Sequence, residues 1–287
     1  MRELRIFAHE AGSRLDRVLC RRFGLSRSQA RRFFEQGAVW RNGRRAGKGE
    51  VVAQGDHVQC DHEEVDSAAQ PDPQVPVLLR YEDDWLLVID KPAGVPSHPL
   101  RPGELGCVAN WIRAAYPDVS CGYDARQPGL VHRLDNDTSG LLLAARDAET
   151  FDALQTALEQ GRIEKTYCAL TSRPVEPQDI ALSLAPGRHP RSPVQVASRG
   201  EPRHTRVVSC TPRGAFFLVE VKALRAYRHQ VRAHLAAIGA PIVGDILYGG
   251  EPASCHHLHA ARLVFCHPKT GAAVEVSSAI PSDWPLA

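Results

Sequence analysis

The 287-residue chain predicts an α+β protein built from two units. Three observations carry that reading. At ~150 residues per domain the length corresponds to about two domains. A content of 43% hydrophobic and 24% charged residues supplies a sizeable core and excludes global disorder. The strand and helix patterns do not alternate as regular βαβ units, so a mixed, largely antiparallel sheet with a central cleft fits better than a doubly wound parallel one.

Other classes drop out early. No apolar run approaches the ~20 residues that cross a bilayer, and the opening MRELRIFAHEAGSR is too charged for a signal peptide. The eight cysteines are scattered without a C-x-x-C pair, which points to a reducing cytoplasm. Neither G-x-G-x-x-G nor a P-loop is present, which argues against nucleotide-cofactor enzymes. The net charge of +2 hides a strong asymmetry. Residues 11–48 carry ten arginines and one lysine against Asp16 and Glu35, whereas residues 49–72 carry seven acids and no base. A basic surface with an anionic partner follows.

The elements read in order. Leu15, Val18, Leu19 and Phe23 form one stripe of a helix over 13–23, with Arg14, Arg17 and Arg21 on another. A second helix starts at a Ser26/Gln29 capping box, buries Ala30, Phe33 and Phe34, and stops at Gly37, with Arg27 and Arg31 one turn apart on its outer side. Strands near Val39-Trp40, Val51-Val52 and His57–Cys60, with an Asn42-Gly43 turn, complete a small α/β unit over residues 1–70. Arg14, Arg17, Arg21, Arg27, Arg31, Arg44, Arg45 and Lys48 are its candidate phosphate contacts; a solvated charged face is the alternative. Residues 71–76, PDPQVP, read as a linker.

The larger unit, 77–287, opens with strands near Val77–Arg80 and Trp85–Asp90 and the breaker-rich loop KPAGVPSHP. A helix follows near Val108–Ala115, then strand, turn and strand over 128–145. Asp147 caps a helix over 148–160 that ends at Gly161. Strands span 162–170 and 216–222, and a helix 228–238. A Pro- and Arg-rich stretch covers 183–206.

The most informative stretch is PGLVHRLDNDTSGLLLAA, 128–145. On a strand, Arg133 and Asp135 share a face, and the turn that follows puts Asp135 at a strand end where it can reach a cleft. Two readings stand: a structural Arg–Asp pair beside a tight turn, or a carboxylate kept ionised for nucleophilic or base chemistry.

HRLDNDTSG resembles the H-R-L-D-x-x-T-S-G signature of the RluA-type pseudouridine synthases. Further stretches resemble that family in the same order: DKPAG its K-P-x-G loop, RIEKTYCAL its E-K-x-Y-x-A strand, HQVRAHL and GDILYG its H-Q-I-R-x-H-L and G-D-x-x-Y-G motifs, and LHAARLVF its closing strand. The N-terminal unit resembles the alpha-L RNA-binding module. The resemblance spans roughly residues 13–275.

It implies isomerisation of uridine to pseudouridine in structured RNA, with Asp135 essential and either adding to the sugar or abstracting its neighbouring proton. No cofactor and no metal are implied. Tyr167, which shares a face with Lys165, would stack on uracil and assist at carbon five, Arg133 would brace the flipped nucleotide, and Val231 would pack on the base's other side. Arg228 and Arg232 would meet phosphate or the Asp135 carboxylate; His132 and Lys165 complete the substrate-contacting set. One departure stands out. The family's T-G-R-x-H-Q is here R-A-Y-R-H-Q, so Tyr227 replaces the arginine expected beside the catalytic acid, and Arg225 or Arg228 is expected to substitute. By family analogy the partner is ribosomal large-subunit RNA ahead of transfer RNA, and the chain is expected to be monomeric.

Three other readings compete. A metal hydrolase from Cys255, His256, His257 and His259 matches no common zinc spacing. A triad of His132, Asp135 and Ser139 fails because the first two would point to opposite strand faces. A non-catalytic RNA-binding or ribosome-assembly factor is the serious alternative, favoured by the altered stretch before His229 and opposed by the intact signature.

Overall fold

The computed structural model describes all residues except 1, 8, 9, 24, 26, 62–67, 124, 188–191, 225, 226, 286 and 287, and the side chains of 21, 27 and 28. Arg225, Arg188, Arg191 and the Ser26 cap therefore lie outside the described residues, as do the side chains of Arg21 and Arg27.

The small unit pairs four antiparallel strands, β1 (Arg2–Arg5), β2 (Val39–Arg41), β3 (Arg44–Arg45) and β4 (His57–Cys60), in the order β1-β4-β2-β3. Helices α1 (Leu15–Phe23) and α2 (Arg27–Glu35) pack their apolar stripes on one another and on a core that includes Leu15, Leu19, Val39 and Val58. Asn42 and Gly43 both take positive φ, as a two-residue hairpin requires. Strand β1 carries little apolar pattern and is not evident in the sequence. The expected strand at Val51-Val52 is instead an isolated bridge from Val51 to Arg14; β4 already has β1 and β2 on its two edges.

The large unit is one ten-stranded mixed sheet: β5 (Leu78–Glu82), β6 (Leu86–Lys91), β7 (Ser139–Ala145), β8 (Glu164–Thr171), β9 (Gln178–Ala185), β10 (Gln195–Ala197), β11 (Pro202–Arg213), β12 (Phe216–Lys222), β13 (Leu258–Cys266) and β14 (Ala273–Ser277). The order is β10-β9-β11-β12-β8-β13-β7-β6-β5, with β14 on β13. Among the described residues only β13 and β7 run parallel, so the expected α+β class with a largely antiparallel sheet holds. Three helices, α3 (Val108–Ala115), α4 (Ala148–Glu159) and α5 (Gln230–Ala237), flank it. The Asp147 carboxylate accepts the Thr150 N–H and caps α4 as expected. Apolar cores lie on both faces of the sheet, one around Leu87, Leu142, Val219 and Leu235, the other around Leu86, Leu141, Phe151 and Leu263. The Pro- and Arg-rich 183–206 stretch overlaps a three-strand extension, β9 to β11, whose long register is set by pairing rather than by pattern.

Residues 69–76 do not hang free. Ala69 is buried in the large core, Val75 is also buried, and Asn110 on α3 donates to the Gln70 carbonyl.

Candidate active site

The expected strand over 128–135 does not form. Leu130 makes one bridge to Ala144, and the Val131 N–H reaches the Leu143 carbonyl, after which the His132 ring accepts the Leu143 N–H at 3.3 Å and the ladder ends. The Leu143 N–H that would continue the ladder goes to the His132 ring, and opposite residues 134–135 the edge of β7 at Ser139 and Gly140 is already paired with β13. The period-two argument for Arg133 and Asp135, and the opposite-face argument for His132 and Asp135, therefore lose their premise.

Side chains hold the segment instead. The Ser97 hydroxyl accepts the Leu134 N–H and donates to the Leu134 carbonyl. Lys91, fully buried, donates to the carbonyls of Pro92, Val95 and Asn136 at 3.0, 2.6 and 2.7 Å. The K-P-x-G loop is thus a clamp that fixes the backbone on both sides of Asp135. Downstream, Gly140 has φ +107 and sits against the Ala260 backbone where any Cβ would collide. That is why the signature carries glycine there.

Asp135 lines a cleft of about 1510 Å³, with 24% of its side chain exposed. Its partner is Arg232 on α5, whose Nη1 donates to Oδ2 at 2.8 Å. The same guanidinium grips buried Asp245 through Nε at 2.6 Å and Nη2 at 2.7 Å, and stacks on the Tyr248 ring at 5.2 Å. The Tyr248 hydroxyl accepts the Val194 N–H and meets His229 Nδ1 at 3.1 Å. His229 takes a left-handed φ of 55° at the head of α5, a strained conformation for a non-glycine residue, and its Nε2 lies 3.8 Å from Asp135. Arg232, Asp245, Tyr248 and His229 form a closed collar around the carboxylate.

Burial pushes the Asp135 carboxyl up, but His229, when protonated, and Arg232 outweigh it and hold the group below the usual carboxylate range. Burial also lowers His229, so near neutral pH the imidazole is mostly uncharged and Arg232 carries the effect. Of the two candidates for the missing arginine of the R-A-Y-R-H-Q stretch, Arg225 is outside the described residues, and Arg228 donates to the Ser192 carbonyl. Arg232 supplies the charge from one turn further on.

Tyr167 and Val231, 6% and 5% exposed, line the same cleft with Leu258. Burial, reinforced by Asp135, raises the Tyr167 hydroxyl well above its ordinary value, so it is a neutral phenol. Arg133 is exposed at the cleft lip. Lys165 lines the cleft while 2% exposed. His132 is driven down to about 3, first by burial and then by the Lys165 charge, and stays neutral. From the small unit, Arg14, Arg17 and Lys48 line the cleft, Arg14 also bonding Asp16 at 2.9 Å. Arg31, paired with Glu35 at 2.6 Å, and Arg44 and Arg45 are on exposed surface outside it.

The rejected constellations have structural explanations. His256 meets Thr138, His257 the Val243 carbonyl and His259 the buried Ser139. Among the described residues no group of three or more His, Cys, Asp or Glu side chains is placed to hold a metal ion. Sequence reasoning missed Asp245, Tyr248 and His229 as site residues. The available signal was the polar pair in G-D-x-x-Y-G thirteen residues past Arg232, which nothing local ties to the cleft.

Comparison with known proteins gives the family and the fold. Residues 85–237 match the family described as RNA pseudouridylate synthase, and residues 13–58 match the S4 domain. The chain is 36% identical to an RNA pseudouridine synthase of Chloroflexus aurantiacus over 96% of its own length and 88% of that protein's. It is 31% identical to ribosomal large subunit pseudouridine synthase D of Nitrosomonas europaea, covering 98% and 85%. Among solved structures, human RNA pseudouridylate synthase domain containing 1 aligns with a TM-score of 0.58 at 21% identity, covering 73% of this chain and 86% of that one, a likeness of fold.

Proposed function

Because the chain belongs to the RNA pseudouridylate synthase family and carries an N-terminal S4 domain, we propose that it converts uridine to pseudouridine in structured RNA at Asp135, with large-subunit ribosomal RNA as the substrate. The observation that carries the reading is the ionised carboxylate of Asp135, open to a cleft wide enough for a nucleoside and locked by Arg232 and Asp245.

The target uridine is swung out of its stack into the cleft, with Arg133 bracing the gap and the base held between the Tyr167 ring and Val231. Asp135 either adds to the anomeric carbon or takes the neighbouring sugar proton. In both routes the bond from that carbon to N1 breaks and its electron pair leaves with uracil. The base turns and carbon five bonds to the anomeric carbon, either as that carbon's ester bond to Asp135 breaks and frees the carboxylate, or as Asp135 returns the proton to the neighbouring sugar carbon; the carbon-five proton then leaves and N1 gains one. A neutral Tyr167 suits the ring's packing role and assists at carbon five only by passing its own proton on as it receives another. Atoms balance without a group donor or redox step, so no cofactor or metal is needed.

Arg228 and Arg232 stand differently in this reading: the first supports the loop through Ser192, the second holds Asp135. Arg14, Arg17 and Lys48 contact RNA at the cleft mouth, and Arg31, Arg44 and Arg45 extend that surface electrostatically. We place the S4 unit at residues 1–60 and the catalytic unit from about residue 69, since Ala69 joins the large core and the Gln70 carbonyl accepts from Asn110 on α3. The enzyme acts as a cytoplasmic monomer; among the described residues no helix is long and apolar enough to cross a membrane.

The test compares cellular RNA from a strain lacking the protein, complemented with wild type or Asp135→Ala, by carbodiimide-adduct stops of reverse transcription. Stops restored by wild type alone are expected. Identical patterns from both would refute the isomerase reading and leave the RNA-binding factor.

A further inference from the structure

Two lysines are buried in the large unit, and they are treated in opposite ways. Lys91 gives each of its ammonium protons to a carbonyl, which explains it as a structural clamp. Lys165 projects from β8, two residues before Tyr167, into the cleft; it is 2% exposed, and among the described residues no acceptor or carboxylate is placed against its ammonium. The one titratable ring beside it is His132, which is itself neutral and whose Nε2 is already used by the Leu143 N–H. An ammonium buried with neither counter-charge nor acceptor is costly and is retained where an anionic group arrives later.

We propose that Lys165 is a catalytic residue, the counter-charge for the uracil anion formed when the bond from the anomeric carbon to N1 breaks. The inference rests on the isomerase reading above. The bond's electron pair moves onto N1 and spreads to the two uracil oxygens. The Lys165 ammonium donates to one of them and keeps its proton throughout; the attraction fades once carbon five has bonded to the sugar. Because the charge exists only after cleavage starts, the interaction lowers the barrier rather than tightening ground-state binding.

Wild type, Lys165→Met and Lys165→Gln are compared on one RNA carrying uridine or 5-fluorouridine at the target. Nucleoside consumption is followed by mass spectrometry of nuclease digests, with RNA affinity and Tm measured alongside. Both variants should lose about a hundredfold or more in kcat on uridine, with Kd for RNA changed less than about twofold. Fluorine makes uracil a better leaving group, so the loss should shrink at least about fivefold on 5-fluorouridine. Removing an unpaired buried charge should leave the Lys165→Met Tm unchanged or raised.

Equal losses on both RNAs would overturn the proposal. So would a rise in Kd matching the fall in kcat/KM, which marks a backbone phosphate contact. A Tm that falls together with activity marks a structural lysine and overturns it too. Active wild type with unimpaired variants sinks the Lys165 role alone, whereas inactive wild type sinks the isomerase reading and this inference with it.

Discussion

The two units handle charge in opposite ways. The large unit buries Asp135, Asp245, Arg232, Lys91 and Lys165 around one cleft, where every charge but that of Lys165 has a partner of stated geometry. The small unit spreads Arg14, Arg17, Arg31, Arg44 and Arg45 over exposed surface, with contacts confined to near neighbours such as Asp16 and Glu35. In a buried site each charge is coupled to folding and to its neighbours' protonation, whereas exposed charges act additively and are screened by salt. Substitutions in the two units should therefore fail in different assays.

The largest separation is expected at Asp135. Asp135→Asn should abolish turnover, by at least about a thousandfold, while RNA affinity stays near wild type and Tm falls only by what the lost carboxylate–Arg232 ion pair contributed. A parallel loss of affinity would show that the buried cluster also governs binding and would erase the contrast.

Arg232 should connect stability with chemistry. Arg232→Met strands two carboxylates, Asp245 among them at 1% exposure, at a cost of ~3–5 kcal/mol in urea unfolding. Asp135 is held below its ordinary value with help from Arg232, so its contribution to stability exists above the unfolded carboxyl's pKa and is lost as pH falls through the lower folded one. Without Arg232, burial pushes the carboxyl upward, and the acid limb of kcat/KM should move to higher pH. An unmoved limb would remove Arg232 from the charge balance.

The buried lysines sharpen the comparison within the large unit. Lys91→Met leaves three carbonyls short of a donor and should destabilise by roughly 1–3 kcal/mol, opposite in sign to Lys165→Met. Burial lowers Lys165 to about 8 from an ordinary 10.5. Between those values the unfolded chain binds the extra proton, so wild-type stability from this group rises with pH. Any Tm advantage of Lys165→Met should be greatest below pH 8 and vanish near 10.5. A constant difference across that range would assign it to packing.

The smallest effects on folding belong to the small unit. Arg17→Glu with Lys48→Glu should weaken RNA binding and reduce the salt slope of log Kd by about one for each phosphate no longer neutralised, at unchanged Tm. Arg31→Ala should act in the same direction more weakly, its guanidinium being engaged with Glu35 at the surface. Unchanged affinity in both would show a solvated basic face.

Much of this was legible locally. The stretch Val108–Ala115, Asp147 with the helix behind it, and 216–222 each carry period, cap and breaker within a few residues. Legibility ended where a segment's partner is remote. Strands β9 to β11 are decided by pairing across a Pro-rich stretch, and 132–135 fails to be a strand because the His132 ring takes the Leu143 N–H and the remote strand β13 already pairs Ser139 and Gly140. The acid itself was legible, as were Tyr167 and Val231 beside it. Its collar was legible only in part: Arg232 was one of two arginines expected to meet phosphate or the acid, while Asp245 reaches the site only through that arginine, 97 residues from Asp135 in the chain.

Residue order alone determined the α+β class, the basic N-terminal unit and the acid on which the chemistry turns, because periodicity, local charge and a multi-part signature are properties of neighbours along the chain. Folding in three dimensions decided which arginine holds that acid, that the K-P-x-G lysine is a clamp, and that Lys165 is left without a counter-charge. The physical reason is that burial and pairing depend on groups brought together from opposite ends of the sheet, and the energy of a buried charge is set by what surrounds it.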